Sequence, residues 1–224
     1  MLAGEGVTAI WNDVVPEGRA DFLAWHMQEH MAERVGLPGF RRGRRHAAMD
    51  AATSPAFFTL YEADTLEVLQ GHDYTNRLNG MTPWTQRVMG TLRGTRRALA
   101  RVVESHGPGL GGVMLTLRFE MAEGWQAAVP LVRAAADRPG IAGAHLCVTD
   151  AAASGAGSEE QRTRQGDAAP PSWFVLVEAA DAAALDGLLT DAAMSATGVP
   201  PVAARGVYRL EFALGSVLMA RPNG

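Results

Sequence analysis

The sequence repeats itself, and this internal repeat limits the folds open to the chain more than any other feature. Three landmarks occur twice in the same order: a Pro-Gly pair, a mostly apolar run with one glutamate, and an Arg-Gly-x-x-Arg motif. They stand at residues 38–39 and 139–140, 58–63 and 174–179, and 93–97 and 205–209. Such self-similarity indicates a duplicated structural unit. We therefore divide the chain into a first unit, residues 1–107, and a second unit, residues 108–224.

Both units show the same order of predicted elements, strand–helix–strand–strand–helix–strand. The predicted strands are residues 7–14, 40–49, 56–63 and 92–103 in the first unit, and 113–119, 141–149, 173–179 and 206–214 in the second. The order βαββαβ is that of the ferredoxin-like unit, whose antiparallel sheet carries both helices on one face. The other face is apolar and must be covered. The predicted fold class is therefore α+β, with two tandem ferredoxin-like units closing as an intramolecular, pseudo-dimeric α/β barrel.

The units differ most in the connection between their second and third strands. In the second unit this connection, residues 151–171, is rich in Ala, Gly and Ser and has no large apolar side chain to anchor it. We expect a flexible loop that carries neither stability nor function. A regulatory lid is the alternative.

Composition excludes several functional classes. The formal net charge is −4, which favours neither nucleic acid nor an anionic membrane surface as a partner. The single cysteine, Cys147, excludes an internal disulfide and is typical of a reducing compartment. No apolar stretch approaches the length of a membrane span, and the first residues do not resemble a signal peptide. The expected location is therefore cytoplasmic.

The first predicted helix carries the main candidates for chemistry. At about 100° per residue, His26 and His30 fall on the apolar arc that faces the sheet. The matching helix of the second unit has no histidine. A hydrogen-bonded core histidine is one interpretation, and a pocket histidine is the other. The segment also matches the H-x-x-E-H zinc-peptidase motif, but the predicted fold is wrong for that class. A metal site that adds Glu33 is a further alternative, and we expect no metal.

The second predicted strand concentrates positive charge. Arg42, Arg44 and His46 share one face of this strand. They could bind a carboxylate or another planar anion of a substrate. The alternative is a charged edge strand that discourages aggregation.

Several large aromatic side chains occur only in the first unit. These residues are Trp11, Tyr61, Tyr74 and Trp84. Tyr61 is matched by Val177 in the second unit. Together they indicate an aromatic-lined pocket in the first unit, with Trp11 and Trp84 as candidate substrate contacts and the second unit as a scaffold.

A known family shares part of this pattern. Phe22-x-x-Trp25-x-x-x-x-His30, followed by Pro38-Gly39-Phe40 and an arginine-bearing strand, resembles the EthD-like branch of the dimeric α/β barrel superfamily. The resemblance implies a barrel of two units, each with a cleft between sheet and helices. Members include cofactor-free cyclases, isomerases, dehydratases and monooxygenases, and haem-handling proteins. In cyclase-like members a histidine and a tyrosine form an acid–base pair, which implies His30 and Tyr61 here.

We therefore expect a small-molecule-binding barrel protein and, as a first hypothesis, a cofactor-independent lyase, isomerase or cyclase. His30 would transfer protons, assisted by Tyr61 or His26, on a small carboxylated or aromatic substrate. One alternative is a non-catalytic binding or scaffold protein, and another is a haem-handling or monooxygenase-type member. We expect no cofactor, with haem as the alternative. The smallest folded species should be a monomer that contains the whole barrel, although a higher homo-oligomer is compatible with it.

Overall fold

Eight antiparallel strands close into one barrel in the computed structural model, which describes residues 1–216. The strands are β1 (Gly6–Val14), β2 (Phe40–Ala48), β3 (Phe57–Ala63), β4 (Leu92–His106), β5 (Val113–Phe119), β6 (Ile141–Thr149), β7 (Trp173–Ala179) and β8 (Ala204–Gly215). Their order around the barrel is β1-β3-β2-β8-β5-β7-β6-β4. The predicted fold class, a pseudo-dimeric barrel of two ferredoxin-like units, is confirmed.

Each unit contributes one four-stranded sheet. The first has the order β4-β1-β3-β2 and the second the matching order β8-β5-β7-β6. The sheets join where β2 pairs with β8 and where β4 pairs with β6. Strand β2 is therefore paired on both sides, and the interpretation of its arginines as a charged sheet edge is wrong. The proposed boundary between the units lies in the connection from β4 to β5.

The helices pack on the outside of the barrel. They are α1 (Arg19–Trp25), α2 (Met31–Val35), α3 (His72–Asn79), α4 (Pro83–Met89), α5 (Val129–Ala136), α6 (Ala151–Gly155), α7 (Glu159–Thr163) and α8 (Asp191–Ala196). A π-helical turn, His26–His30, joins α1 to α2. None of the helices in residues 1–216 is long and apolar enough to cross a membrane.

Side chains alternate between the two faces of each strand, so the protein has two buried layers: the barrel interior and the layer between sheet and helices. Phe58 and Leu60 of β3 point into the barrel, where they pack with Trp11 and Phe174. Tyr61, on the opposite face of β3, packs against the helices of the first unit. The candidate site lies in this second layer.

A buried ion-pair network fills one part of the barrel interior. Arg44 is fully buried and binds Glu62 of the first unit and Glu178 of the second, with N–O distances of 2.7–3.1 Å. Arg42 also binds Glu62. The two glutamates occupy matching positions in the repeat. Arg44 therefore links the two units, with one buried carboxylate from each unit as its partner.

Residues 151–171, which we call the lid segment, pack against the first unit. The segment contains α6 and α7, and it buries Ser154 and Glu160. Ser154 Oγ accepts a hydrogen bond from the Leu99 amide at 2.9 Å, and the Ala168 amide donates to the Thr95 carbonyl. The expectation of a loop without packed structure is corrected here. Polar contacts hold the segment in place of the apolar anchors that the sequence lacks.

Candidate functional site

A cleft lies between the sheet of the first unit and its covering helices. As packed here it encloses about 40 Å³, which is room for a few water molecules, so a larger ligand requires the cleft to open. The polar residues of its lining are Asn12, His26, His30, Arg34, Thr59, Tyr61, Tyr74, Thr95, Arg97, Glu160 and Arg164. The first nine belong to the first unit, whereas Glu160 and Arg164 come from the lid segment.

The π-helical turn places both histidines in this cleft. His26 is 3% exposed and His30 is 5% exposed. The His30 ring packs on Trp25, with ring centroids 4.1 Å apart. The Nδ1 atoms of both histidines are buried without a hydrogen-bond partner. Buried polar atoms are normally paired, so these two ring nitrogens are candidate contacts for a ligand or a bound water.

Both cleft histidines are held in the neutral form. Burial lowers the pKa of His26 well below its ordinary value, and the positive charges of Arg45 and Arg34 lower it further. Burial also lowers the pKa of His30, and Arg34 again adds to the effect. At neutral pH each ring is therefore uncharged and keeps one unprotonated nitrogen that can act as an acceptor.

Tyr61 supplies a proton donor beside the histidines. Its hydroxyl lies 3.5 Å from His26 Nε2, at the limit of a hydrogen bond. Burial raises the pKa of Tyr61, so the phenol stays protonated. The resemblance implied a pair of Tyr61 with His30, whose ring centroid lies 6.2 Å from that of Tyr61. The structure brings all three residues into one cleft: the ring centroids of His26 and His30 lie 6.5 and 6.2 Å from that of Tyr61, and the hydroxyl contact is with His26.

Arg34 adds a buried positive charge that was not among the residues predicted from the sequence. It lies on α2, one turn after His30, and only 2% of the residue is exposed. Its Nη2 binds the Glu160 carboxylate, whereas its Nη1 has no hydrogen-bond partner. Residues four apart share a helix face, so the series His26, His30, Arg34 was the sequence signal for this residue.

Tyr74, one of the aromatic residues expected in the pocket, forms a second polar pair with Arg97, which was not predicted as part of the site. Arg97 Nη2 donates to the Tyr74 hydroxyl at 3.2 Å. Although burial acts in the opposite direction, the guanidinium groups of Arg97 and Arg34 lower the pKa of Tyr74 below its ordinary value. The cleft therefore stabilises negative charge on an oxygen next to these arginines.

Five residues predicted as substrate contacts lie outside this cleft. Trp11 is buried inside the barrel, where its Nε1 donates to Thr116. His46 also points into the barrel and contacts the Phe58 carbonyl. Arg42 and Arg44 bind the buried glutamates, so they are not free to clamp a ligand anion. Trp84 donates to Asp21 on the outer side of α4. The sequence placed these side chains on the correct strands and helix without showing which layer they enter.

In the described part of the second unit, apolar side chains take the places of three polar residues of the cleft. The register of β1 with β3 corresponds to that of β5 with β7. In this correspondence Phe119 takes the place of Asn12, Val175 that of Thr59, and Val177 that of Tyr61. These apolar side chains join the core cluster that contains Trp173 and Leu188. Within the described residues, polar groups thus line the sheet–helix layer of the first unit and apolar groups fill that of the second.

A metal ion or a haem finds no suitable geometry in the cleft. Residues 1–216 contain no group of three His, Cys, Asp or Glu side chains that could hold a metal. Glu33, the third ligand of the alternative metal site, binds Arg77 instead. Haem requires a flat slot beside a free histidine. The His26 and His30 rings are instead enclosed by Phe22, Trp25 and Tyr61, with centroids 4.1–6.5 Å away. The residues as packed here do not fit a haem.

Comparison with known proteins identifies the fold. A solved structure described as an anthrone oxidase-like protein gives a TM-score of 0.57, at 13% identity, over 94% of this chain and 92% of its own. A candidate monooxygenase from Fusobacterium nucleatum gives 0.56, at 8% identity, over 96% of both chains. One from Lactobacillus acidophilus gives 0.55, at 12% identity, over 95% and 97%.

A candidate chlorite dismutase also matches, with a TM-score of 0.51 at 11% identity over 93% of this chain and 96% of its own. No family model and no curated protein matches the sequence. Identities this low establish the fold alone. The chain therefore has the dimeric α/β barrel fold, with both halves of the barrel in one polypeptide, and the fold that the resemblance implied is confirmed.

Proposed function

We propose that the cleft of the first unit binds a small molecule with an acidic C–H or O–H group and transfers a proton to and from it. One observation carries the proposal: two neutral histidines with unpartnered ring nitrogens share a buried cleft with a protonated tyrosine and an arginine that has a free donor edge. Buried polar atoms are usually paired, and here several without a partner converge on one cleft.

Each residue has a defined task in this proposal. His30 takes the proton from carbon or oxygen, and the electron pair of the broken bond moves onto an adjacent carbonyl or ring oxygen. Tyr61, held by His26, donates a hydrogen bond to that oxygen. Arg34 and Arg97 stabilise the negative charge, an effect that is strong in a cleft from which water is largely excluded. His30 then returns the proton at the same or a neighbouring atom, so the enzyme is regenerated.

The charge and the aromatic lining of the cleft define the substrate class. The lining contains three arginines, Arg34, Arg97 and Arg164, and one acidic residue, Glu160. Aromatic rings of Trp25, Tyr61 and Tyr74 enclose the remaining surface. A small carboxylated aromatic compound that can form an enolate matches both properties. Phenylpyruvate has all three features and serves as the probe.

The test is hydrogen–deuterium exchange at the benzylic carbon of phenylpyruvate, followed by proton NMR in D₂O. We expect the protein to accelerate exchange, and His30→Gln to reduce that acceleration by about 100-fold or more, as removal of a general base does. His72→Gln is the matched control, because His72 is exposed on α3 outside the cleft. It should exchange phenylpyruvate at the wild-type rate.

Two results would oppose proton transfer. Saturable binding of phenylpyruvate without faster exchange would make the protein a non-catalytic binder. Exchange that is equally fast in His30→Gln would assign the base to another residue.

A second candidate, oxygenation without a cofactor, starts from the same proton abstraction. The observation in its favour is a base next to arginines that stabilise an aromatic enolate, the electron-rich species that can react with O₂. Anthrone is the probe because one similar fold is described as anthrone oxidase-like. Its methylene carbon would become a carbonyl, with one oxygen atom retained and the other leaving as water. Consumption of O₂ with anthrone distinguishes this candidate from simple proton transfer.

A further inference from the structure

The second unit completes the cleft of the first unit through the lid segment. Glu160 on α7 is 4% exposed and reaches Arg34 across the mouth of the cleft. Arg164, at the end of α7, lines the same cleft and binds Asp167. The segment thus carries side chains into a site whose other polar residues belong to the first unit.

Glu160 places a carboxylate where an anionic ligand would bind. Its Oε1 accepts from Arg34 Nη2, and Arg34 Nη1 remains without a hydrogen-bond partner. A carboxylate can bind both nitrogens of a guanidinium group, so Glu160 uses only part of the binding capacity of Arg34. The nearby Glu33 carboxylate lies 3.8 Å from Nη1, which is beyond hydrogen-bond distance.

We propose that Glu160 is a built-in substitute for the ligand carboxylate, and that a small carboxylate displaces it from Arg34 and releases the lid segment. The proposal rests on the proposed function in one respect, since it assigns the ligand to the same cleft. It adds a regulation of that cleft, because the apo protein closes its own anion site.

Replacing the Glu160 carboxylate by a ligand carboxylate costs little electrostatic free energy, because Arg34 stays paired with a negative charge. Removing Glu160 alone would leave the buried Arg34 without a hydrogen-bonded carboxylate, with only Glu33 at 3.8 Å as a counter-charge, which is unfavourable. A ligand carboxylate keeps Arg34 paired and can also bind the free Nη1. Glu160 returns to water, where a charged side chain is well solvated. Entry of the ligand and release of Glu160 are therefore coupled.

The remaining attachments of α7 are weak enough for such a release. The Glu159 amide donates to Asn79 Oδ1 at 2.9 Å at an exposed position. Ser158 Oγ accepts from the Gln161 amide, which is a contact within the segment itself. By contrast, Ser154 and Ala168 attach the two ends of the segment to β4. The ends can therefore stay bound while α7 moves.

The test is limited trypsin digestion, with cleavage after Arg162 and Arg164 read by mass spectrometry. Arg162 is exposed, and both residues lie on or next to α7. Benzoate, a small aromatic carboxylate, is the probe. We expect benzoate to accelerate cleavage of the wild type in a saturable way. Glu160→Gln should be cleaved about tenfold faster than the wild type without benzoate, because the charge-assisted bond to Arg34 is lost.

Glu159→Gln is the matched control, because Glu159 is the adjacent residue on the same helix and is exposed. It should behave as the wild type does. Circular dichroism checks that each variant is folded, and the response of the wild type to benzoate needs no variant.

Three results would overturn the proposal: Glu160→Gln cleaved at the wild-type rate, no effect of benzoate on the wild type, or protection of the segment by benzoate. These failures are separate from failure of the proposed function, which is read from phenylpyruvate exchange and its dependence on His30. Normal exchange with an unresponsive lid segment would remove the regulation and keep the activity. A lid segment that responds to benzoate in a protein that does not catalyse exchange would keep the regulation and remove the activity.

Discussion

Hydrogen bonding at single residues separates the cleft histidines from an ordinary core histidine in the same molecule. His145 is fully buried, and both its ring nitrogens have partners, with Ser105 Oγ at 2.9 Å and Glu178 Oε1 at 3.3 Å. His30 is almost as buried, but its Nδ1 has none. The two residues are therefore similarly buried, and they differ in whether each ring nitrogen has a hydrogen-bond partner within the protein.

This difference predicts opposite effects of the same substitution on stability. His30→Gln removes no known partner, so the free energy of unfolding should fall by less than about 1 kcal/mol. His145→Gln disturbs contacts to a serine and a buried carboxylate and should cost about 1–3 kcal/mol. Urea unfolding measures both. A His30→Gln protein that is destabilised as much as His145→Gln would make His30 a structural core residue.

The sequence could predict some site residues because helical periodicity is local. It placed His26 and His30 on the buried face, and it found Tyr61 by comparison with Val177. It missed Arg34, since an arginine on a helix is usually solvated. Glu160 could not be predicted, because its partner Arg34 lies 126 positions away in sequence and no pattern links the two residues.

At the scale of elements, the π-helical turn explains why the helix phase was only partly correct. Steps of about 100° put Met27 on the apolar arc, yet Met27 is 45% exposed. A π-turn inserts one extra residue into a helical turn and shifts the phase of the residues after it. Such turns often occur at functional sites, and this one spans the two histidines.

The lid segment also has a role as an element, because it covers an otherwise open edge. Strand β6 pairs with β4 only from Ala100 onward, so residues 92–99 of β4 have no strand on that side. Residues of the lid segment bind there instead, including a bridge between Arg93 and Gln165. Composition predicted a loop because it shows the lack of apolar anchors, whereas backbone pairing with a distant strand leaves no trace in composition.

We predict that Ser154→Ala destabilises the protein by about 1–3 kcal/mol, because the buried Leu99 amide loses its acceptor. Ser195→Ala, at an exposed position on α8, is the control and should leave stability unchanged. Thermal and urea unfolding measure the effect. Equal stability of the two variants would show that the lid segment does not contribute to the fold through this contact.

For the whole molecule, buried neutral histidines make stability depend on pH. Burial lowers the pKa of His46 from 6.5 to about 3, and it also lowers the pKa of His26, His30 and His145. The unfolded chain binds these protons at a higher pH than the folded chain does. Stability is therefore complete above pH 6.5 and is lost as pH falls toward 3.

Glu178 acts in the same direction at lower pH. Although burial opposes it, His145 and Arg44 lower the pKa of Glu178 below its ordinary value of 4.5. Its contribution is present above pH 4.5 and declines below it. Urea unfolding between about pH 4 and 8 should show a monotonic loss of stability on acidification. His46→Gln should reduce this slope and His72→Gln should not; a flat profile would contradict the neutral state of the buried rings.

The closed barrel predicts that neither unit is stable as a monomer. A fragment of residues 1–107 would leave the edges of β2 and β4 unpaired and would expose the barrel-facing side chains of Trp11, Phe58 and Leu60. Because β8 matches β4 and β6 matches β2, two fragments can restore both seams by pairing β2 of one copy with β4 of the other.

We therefore expect the fragment to form a homodimer or to aggregate, whereas the full chain contains the whole barrel in one monomer. In a fragment dimer, each Arg44 would bind Glu62 of both copies, in place of the link to Glu178. Size-exclusion chromatography with light scattering measures the masses of both proteins. An Arg44→Met fragment should lose the dimer, since two buried carboxylates would then lack their shared partner. A fragment that stays a soluble, folded monomer at high concentration would show that closure of the barrel is not what stabilises each unit.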